Sequence, residues 1–253
     1  MLALVAAIAS TPMERQHFCF EAAALVWGCD TVDLGSRVDL NQEFNQHRGP
    51  DHRVRRHHSI IPADQVTVVD GVPVTILART VVDCARGLAG HRAIVIADSA
   101  ARLGLTREET DRALLAAAGR RGVRRARELL DLVDGGSASP GETLTRWVLL
   151  EDGLPRPVTQ LAIRTALGTR YGDLGWPHLR VVVEFDGKAK YTQLFSSDPG
   201  ATVVDERRRQ EALEDAGWVV VRVFWDDLRE PGALVRKVRA AIAHDRVLGL
   251  HDR

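Results

Sequence analysis

Cysteine is scarce in this chain of 253 residues: Cys19, Cys29 and Cys84 are its three. They are too few and too scattered for a disulfide framework or a Cys-x-x-Cys metal site. They read instead as buried free thiols, packed like small hydrophobes in a reducing cytoplasm. The nine histidines contain no His-Glu-x-x-His and no finger spacing, which argues against zinc. Net charge is lacking too, since 34 Lys and Arg balance 34 Asp and Glu. That counts against a dedicated nucleic-acid binder, usually basic overall, and leaves any phosphate contact to local patches. The opening MLALVAAIAS is apolar but has no basic leader and is short for a spanning helix. It reads as a helix packed on its own domain, so the protein is expected in the cytoplasm. Internal repeats and low-complexity tracts are absent.

What is present is an ordinary globular composition, with 45% hydrophobic and 27% charged residues. The length suits about two domains. Residues 19–28 look helical and stop at Gly28. From 51 to 74, short runs rich in β-branched residues, with an Asp70–Gly71 turn, predict a small antiparallel sheet. Thr75 is expected to cap the helix ILARTVVDCARGL, and further helices follow, one opened by a Thr106–Glu109 capping box. The Gly/Ser-rich DGGSAS, residues 134–139, marks the best boundary. We therefore expect a mixed domain over 1–134 and a second over 135–253.

Beyond the boundary the predicted order is helix (140–152), strands at 158–165, 169–174 and 179–186, helix (203–216), an apolar strand at 218–224 and a final helix (232–243). This is an αβββαβ core, a central mixed sheet with helices packed on it, in an α/β (α+β) chain. Trp218 is expected in the core behind the apolar strand.

The most unusual stretch is RVVVEFDGKAKY, residues 180–191. Three valines announce a buried strand, and Glu184, Asp186, Lys188 and Lys190 follow at every second position. Side chains alternate along a strand, so Val181, Val183 and Phe185 share one face, and Val182, Glu184 and Asp186 the other. Asp173, on the preceding strand of the hairpin, is placed to lie nearly opposite Glu184, with Cβ atoms ~5 Å apart. Carboxylates that close repel unless a cation sits between them. Mg2+ takes oxygen ligands and needs only one or two carboxylates. A solvated strand edge, with Glu184 paired to Lys188 or Arg180, is the competing reading.

Asp173, ten residues, then Glu184-Phe185-Asp186-Gly187-Lys188 within an αβββαβ order resembles the PD-(D/E)XK nuclease superfamily. The blocks SPGETLTRWVLL, VVVEFDGKAKY, DERRRQEAL and GWVVVRVFWDDL resemble its Vsr-like, endonuclease-like domain over roughly 137–230. That resemblance implies a restriction-endonuclease-like core, with Asp173 and Glu184 at metal-ligand positions, Asp186 as a further ligand and Glu142 at an accessory acidic position. The metal would be Mg2+ or Mn2+. The usual lysine position holds Asp186, so Lys188 or Lys190 would have to take that role. Glu142 has a local explanation as well, because Ser139-Pro140-Gly141-Glu142 is a capping box with proline at the first helical position. Arg207, Arg208 and Arg209 open the next helix, and the resemblance implies a phosphate-holding role best matched by Arg209.

In the first half, HHSIIPADQVTVVDGVPVTILARTVVDCAR resembles AbiEi-type antitoxin relatives. There this region follows a winged helix, for which few residues remain here. Two basic clusters, His47–His58 and the run Arg120, Arg121, Arg124, Arg125 and Arg127, are candidate phosphate contacts against the alternative of a solvated face. Two functions stay open. One is metal-dependent hydrolysis of DNA phosphodiesters by Asp173, Glu184, Asp186 and Lys188, with Arg207, Arg209, Lys190, Arg124 and Arg125 on DNA. The other is a non-catalytic DNA-binding or regulatory protein of a toxin–antitoxin or defence system. Neither involves a membrane.

Overall fold

A computed structural model of the chain describes residue 5 and residues 16–43, 51–187 and 199–248, with side chains in the last span from 207 to 243. The chain divides into two compact units, Met1–Gly135 and Gly136–Arg253, each an α+β assembly around its own sheet.

In the first unit the strands are β1 (Gln16–Phe18), β2 (Val38–Gln42), β3 (Val54–His57), β4 (Val66–Val69) and β5 (Val72–Thr75), in spatial order β3-β2-β1-β5-β4. The sheet is mixed rather than antiparallel, because β3 runs parallel to β2 and β5 parallel to β1. Only the β1–β2 and β4–β5 pairs run in opposite directions. In the β4–β5 hairpin, Asp70 and Gly71 have φ of 50° and 78°, as the tight two-residue connection between Val69 and Val72 requires. Strand β2, VDLNQ, is buried along its whole length. Val38 and Leu40 join Phe18, Ala22, Ala23, Val54 and Val74 in the apolar core. The other face of β2 buries Asp39 and Asn41, and Asn41 lies opposite His17.

Helix α1 (Phe20–Val26) covers the apolar face. Then come α2 (Leu77–Gly87), α3 (Gly90–Arg102), α4 (Arg107–Ala116) and α5 (Val123–Leu130). Thr75 does not cap α2. The N-cap is Ile76 without a side-chain bond, and the Thr75 hydroxyl instead meets that of Thr80 at 2.6 Å. Residues 93–100 of α3 are all buried, which suits the run AIVIADSA. The expected Thr106–Glu109 capping box is present in both directions. Helix α5 starts at Gly122, whose φ is 82° and where a Cβ would stand 2.5 Å from the Arg86 carbonyl oxygen.

The second unit opens with α6 (Pro140–Glu151), continues through β6 (Val158–Thr165), β7 (Gly168–Trp176), β8 (Val181–Phe185), α7 (Pro199–Asp215) and β9 (Val219–Val223), and closes with α8 (Pro231–Leu248). The sheet order is β6-β7-β8-β9, antiparallel except for the parallel β8–β9 pair. This is the αβββαβ order that the periodicity predicts. Leu149, Leu174, Trp176, Val181, Val183, Val221, Val223, Leu234 and Val238 form one apolar layer, which α6 and α8 complete. On the other face Leu161, Ile163 and Val182 pack with Leu213 of α7, and Trp218 lies against them. The alternation of β8 thus falls as expected, with Val181 and Val183 on one side and Val182 on the other.

One irregularity positions the site. Thr159 pairs with Leu174 and Leu161 with Gly172, a two-residue step that keeps the same face in a regular ladder. Here the face reverses. Leu174 belongs to the first layer, whereas a Cβ on Gly172 would point into Val182 of the second. The residues between are Asp173 and Gln160, and Gln160 has a φ of 46°, uncommon for a residue with a side chain.

Candidate functional site

Register continued one step from Leu174–Val183 sets Asp173 opposite Glu184. The backbone ladder gives way there to a side chain: the Phe185 amide donates to Asp173 Oδ2 at 2.7 Å. Phe185 itself is wedged against the first turn of α6, where Gly141 leaves room that a Cβ would overrun at 2.0 Å from the ring. Trp225 meets the Phe185 ring edge-on, with centroids 5.0 Å apart. The carboxyl ends of β8 and β9, the start of α6 and the Asp173 position of β7 therefore meet at one end of the sheet. Crevices at the carboxyl ends of strands are where open α/β sheets bind ligands.

The carboxylates gathered here are held by the protein. Glu184, 7% exposed, accepts on Oε1 from Arg209 of α7 at 3.0 Å, and that guanidinium also donates to the Tyr171 carbonyl at 2.7 Å. Glu142 takes the Ser139 hydroxyl on Oε1 at 2.8 Å. Its Oε2 accepts from the Ala138 amide at 2.8 Å and from Gln160 Nε2 at 3.1 Å. With Ser139 Oγ accepting from the Glu142 amide, the local capping motif accounts for most of what Glu142 does. Asp173 is pushed up to about 6, chiefly by burial, and the neighbouring charges of Glu142 and Glu184 add to this. The Phe185 amide and Arg209 oppose that rise.

Asp186 follows β8, its amide bonded to the Val223 carbonyl at 2.8 Å. Lys188 and Lys190 lie outside the described residues. Arg207 faces Glu211 one helical turn on, at 2.9 Å, and is exposed. Among the described residues no group of three or more His, Cys, Asp or Glu is gathered to hold a metal ion. Glu184 faces a guanidinium and both Glu142 oxygens accept from the chain's own donors, so an ion held there would have to displace these partners.

The basic clusters of the first unit are dispersed. Arg125 reaches back to the Ala85 and Leu88 carbonyls and so ties α5 to the end of α2. Arg124 is 93% exposed, 4.0 Å from Glu128. Arg53 pairs with Asp51 and Arg55 approaches buried Asp39 at 3.5 Å, while His47 and Arg48 fall outside the described residues. The same unit holds a half-open cleft of ≈ 630 Å³ lined by Trp27, Ile76, Leu77, Leu103, Arg79 and Arg112 among others.

Reasoning from sequence missed Gln160, Gly141 and the Phe185–Trp225 pair. The only available signal was Gly141 after proline, which reads equally well as part of a helix start.

Comparison with known proteins gives two relatives over nearly the whole chain. The uncharacterized proteins Rv2248 and MT2308, from two strains of Mycobacterium tuberculosis, are each 30% identical over 242 residues, which is 91% of this chain and 83% of theirs. The chain belongs to their family. Within the chain, residues 34–132 match the AbiEi antitoxin C-terminal domain, so the first unit is AbiEi-antitoxin-like. No solved structure matches the chain. Among the described residues no helix is long and apolar enough to cross a membrane.

Proposed function

We propose that this protein is a non-catalytic, DNA-binding regulator of a toxin–antitoxin or defence system. The match of residues 34–132 to an antitoxin domain carries this reading. The arrangement of the second unit supports it. The αβββαβ order that suggested a PD-(D/E)XK-like core is present, yet the acidic positions expected there are engaged with Arg209, a helix cap and a backbone amide. Asp186 stands where that superfamily's usual lysine would.

In this reading the second unit keeps a nuclease-like scaffold for contact with DNA, and phosphate contacts come from local arginines rather than from overall charge. Phosphate contacts carry no base information, so binding through them is expected to be indifferent to base sequence. The test is fluorescence anisotropy of labelled duplexes of unrelated sequence, titrated with the full chain at several salt concentrations without divalent ions. Similar affinities that fall steeply with salt support the proposal. Absence of binding even at low salt refutes its DNA-binding part.

A further inference from the structure

The β6–β7 hairpin has one covered face and one open face. Leu161, Ile163 and Gly172 turn toward Val182 and α7. Directly paired residues share a face, so Ala162 with Tyr171, and Arg164 with Thr169, make up the other. All four are exposed, and Tyr171 retains 57% of its surface, a large aromatic ring open to water. Arg164 is the diagonal neighbour of that ring, within ~7–8 Å of it by strand geometry.

Toward its turn, before Asp173 of β7, charge on this hairpin is of one sign. From Val158 to Gly172 it carries Arg164 and Arg170 and no carboxylate, in a chain whose total is zero. The platform is also braced, since Arg209 of α7 donates to the Tyr171 carbonyl and Gly172 packs against Val182. A tyrosine on a held backbone loses little side-chain freedom on contact, because it has two rotatable angles. An exposed ring beside a guanidinium with no acidic partner among the described residues is the pairing that single-stranded nucleic acids use: the ring stacks a base and the cation takes the phosphate.

We infer that the open face of the β6–β7 hairpin, with Tyr171 as stacking ring and Arg164 as phosphate contact, binds single-stranded DNA. This rests on the DNA-binding reading above and adds to it the surface and the strand form. A duplex keeps its base faces stacked, so the ring distinguishes single strands from duplex where arginine alone does not. An acidic protein segment would use the arginines and ignore the ring.

The experiment uses the full chain and a fluorescein-labelled oligothymidylate at low salt, with anisotropy as the readout and thermal melting as a folding control. Tyr171→Ala is expected to weaken binding roughly 5- to 150-fold, the span of one base–aromatic stack. Tyr171→Phe should retain binding, because it keeps the ring. Arg164→Ala should lower the salt slope by about one phosphate contact. Binding by the wild type that Tyr171→Ala leaves unchanged overturns this inference and spares the wider one. Wild type that binds neither oligothymidylate nor duplex removes both. Displacement by polyglutamate as effective as by unlabelled oligothymidylate marks a surface for acidic protein and also overturns it.

Discussion

The two units bury charge in different ways. The first unit pairs most of it side chain to side chain, Arg79 with Asp83, Arg92 with Glu21, and His57 with Asp39 at 2.8 Å, while buried Asp98 accepts from the Asp134 amide. The second unit sets Asp173, Glu142 and Glu184 at one end of the sheet, where the first two answer the Phe185 and Ala138 amides and the third pairs with Arg209. Charge paired inside a core fixes how elements pack, and removing one partner leaves the other uncompensated. Charge at a strand end held by amides is one step from being a ligand set. That is why the second unit reads so readily as a metal site in sequence, and why the partners of its oxygens matter more than their spacing.

The largest expected effect lies in the first unit. Arg79, 6% exposed, also donates to Gln65 at 2.6 Å. Arg79→Ala should cost about 3 kcal/mol in urea denaturation, the range for breaking a buried pair. A loss under about 1 kcal/mol would show that Asp83 is adequately served by Arg86 alone, at 2.7 Å. Next comes Gly141→Val in the second unit. Its Cβ would stand 2.0 Å from the Phe185 ring, and the overpacking should cost about 2 kcal/mol. A neutral result would mean that α6 shifts freely, and that the site end of the sheet is not fixed by this contact.

A smaller effect separates the units by pH. Asp173 is raised from 3.8 to about 6, so its ionised form is disfavoured in the folded state. The penalty is full above about pH 6, fades as pH falls, and is gone below about 4. Asp173→Asn removes it and should stabilise the protein at neutral pH by about 1 kcal/mol, after allowance for solvent screening at this partly exposed group. The melting-temperature difference between variant and wild type should shrink as pH drops from neutral toward 4; a constant difference would contradict the assignment. Smallest of all, Arg125→Ala should cost about 1 kcal/mol through the lost bonds to the Ala85 and Leu88 carbonyls at the end of α2, whereas Arg124→Ala should leave stability within about 0.5 kcal/mol. Equal losses would erase the distinction drawn between the two arginines.

Much of the second unit was legible because its signals are local. Val181 to Val183 and Val219 to Val221 announce buried strands, and Ser139-Pro140 announces a helix start. The opposition of Asp173 and Glu184 follows from counting residues about the hairpin turn. What no count reveals is the left-handed Gln160, which reverses the face at Asp173, or the approach of Phe185 to Gly141, since both depend on elements far apart in the chain. The first unit was harder to read. Strand β2, Val38–Gln42, alternates apolar and polar residues as a half-exposed strand does, yet both faces are buried, because the polar side chains find partners from other segments, such as His57 with Asp39 and Ser59 with Asn41 at 2.7 Å. Thr75 looked like a cap, but its hydroxyl meets Thr80 instead.

The claim that the carboxylates of the second unit serve its fold and not a hydrolytic metal is tested most directly by DNA cleavage. Purified wild type, Asp173→Ala and Glu184→Ala are incubated with supercoiled plasmid in Mn2+ and in Mg2+, and nicked product is followed over time. The account predicts no nicking above the level common to all three proteins. Nicking by the wild type that both substitutions abolish would contradict it.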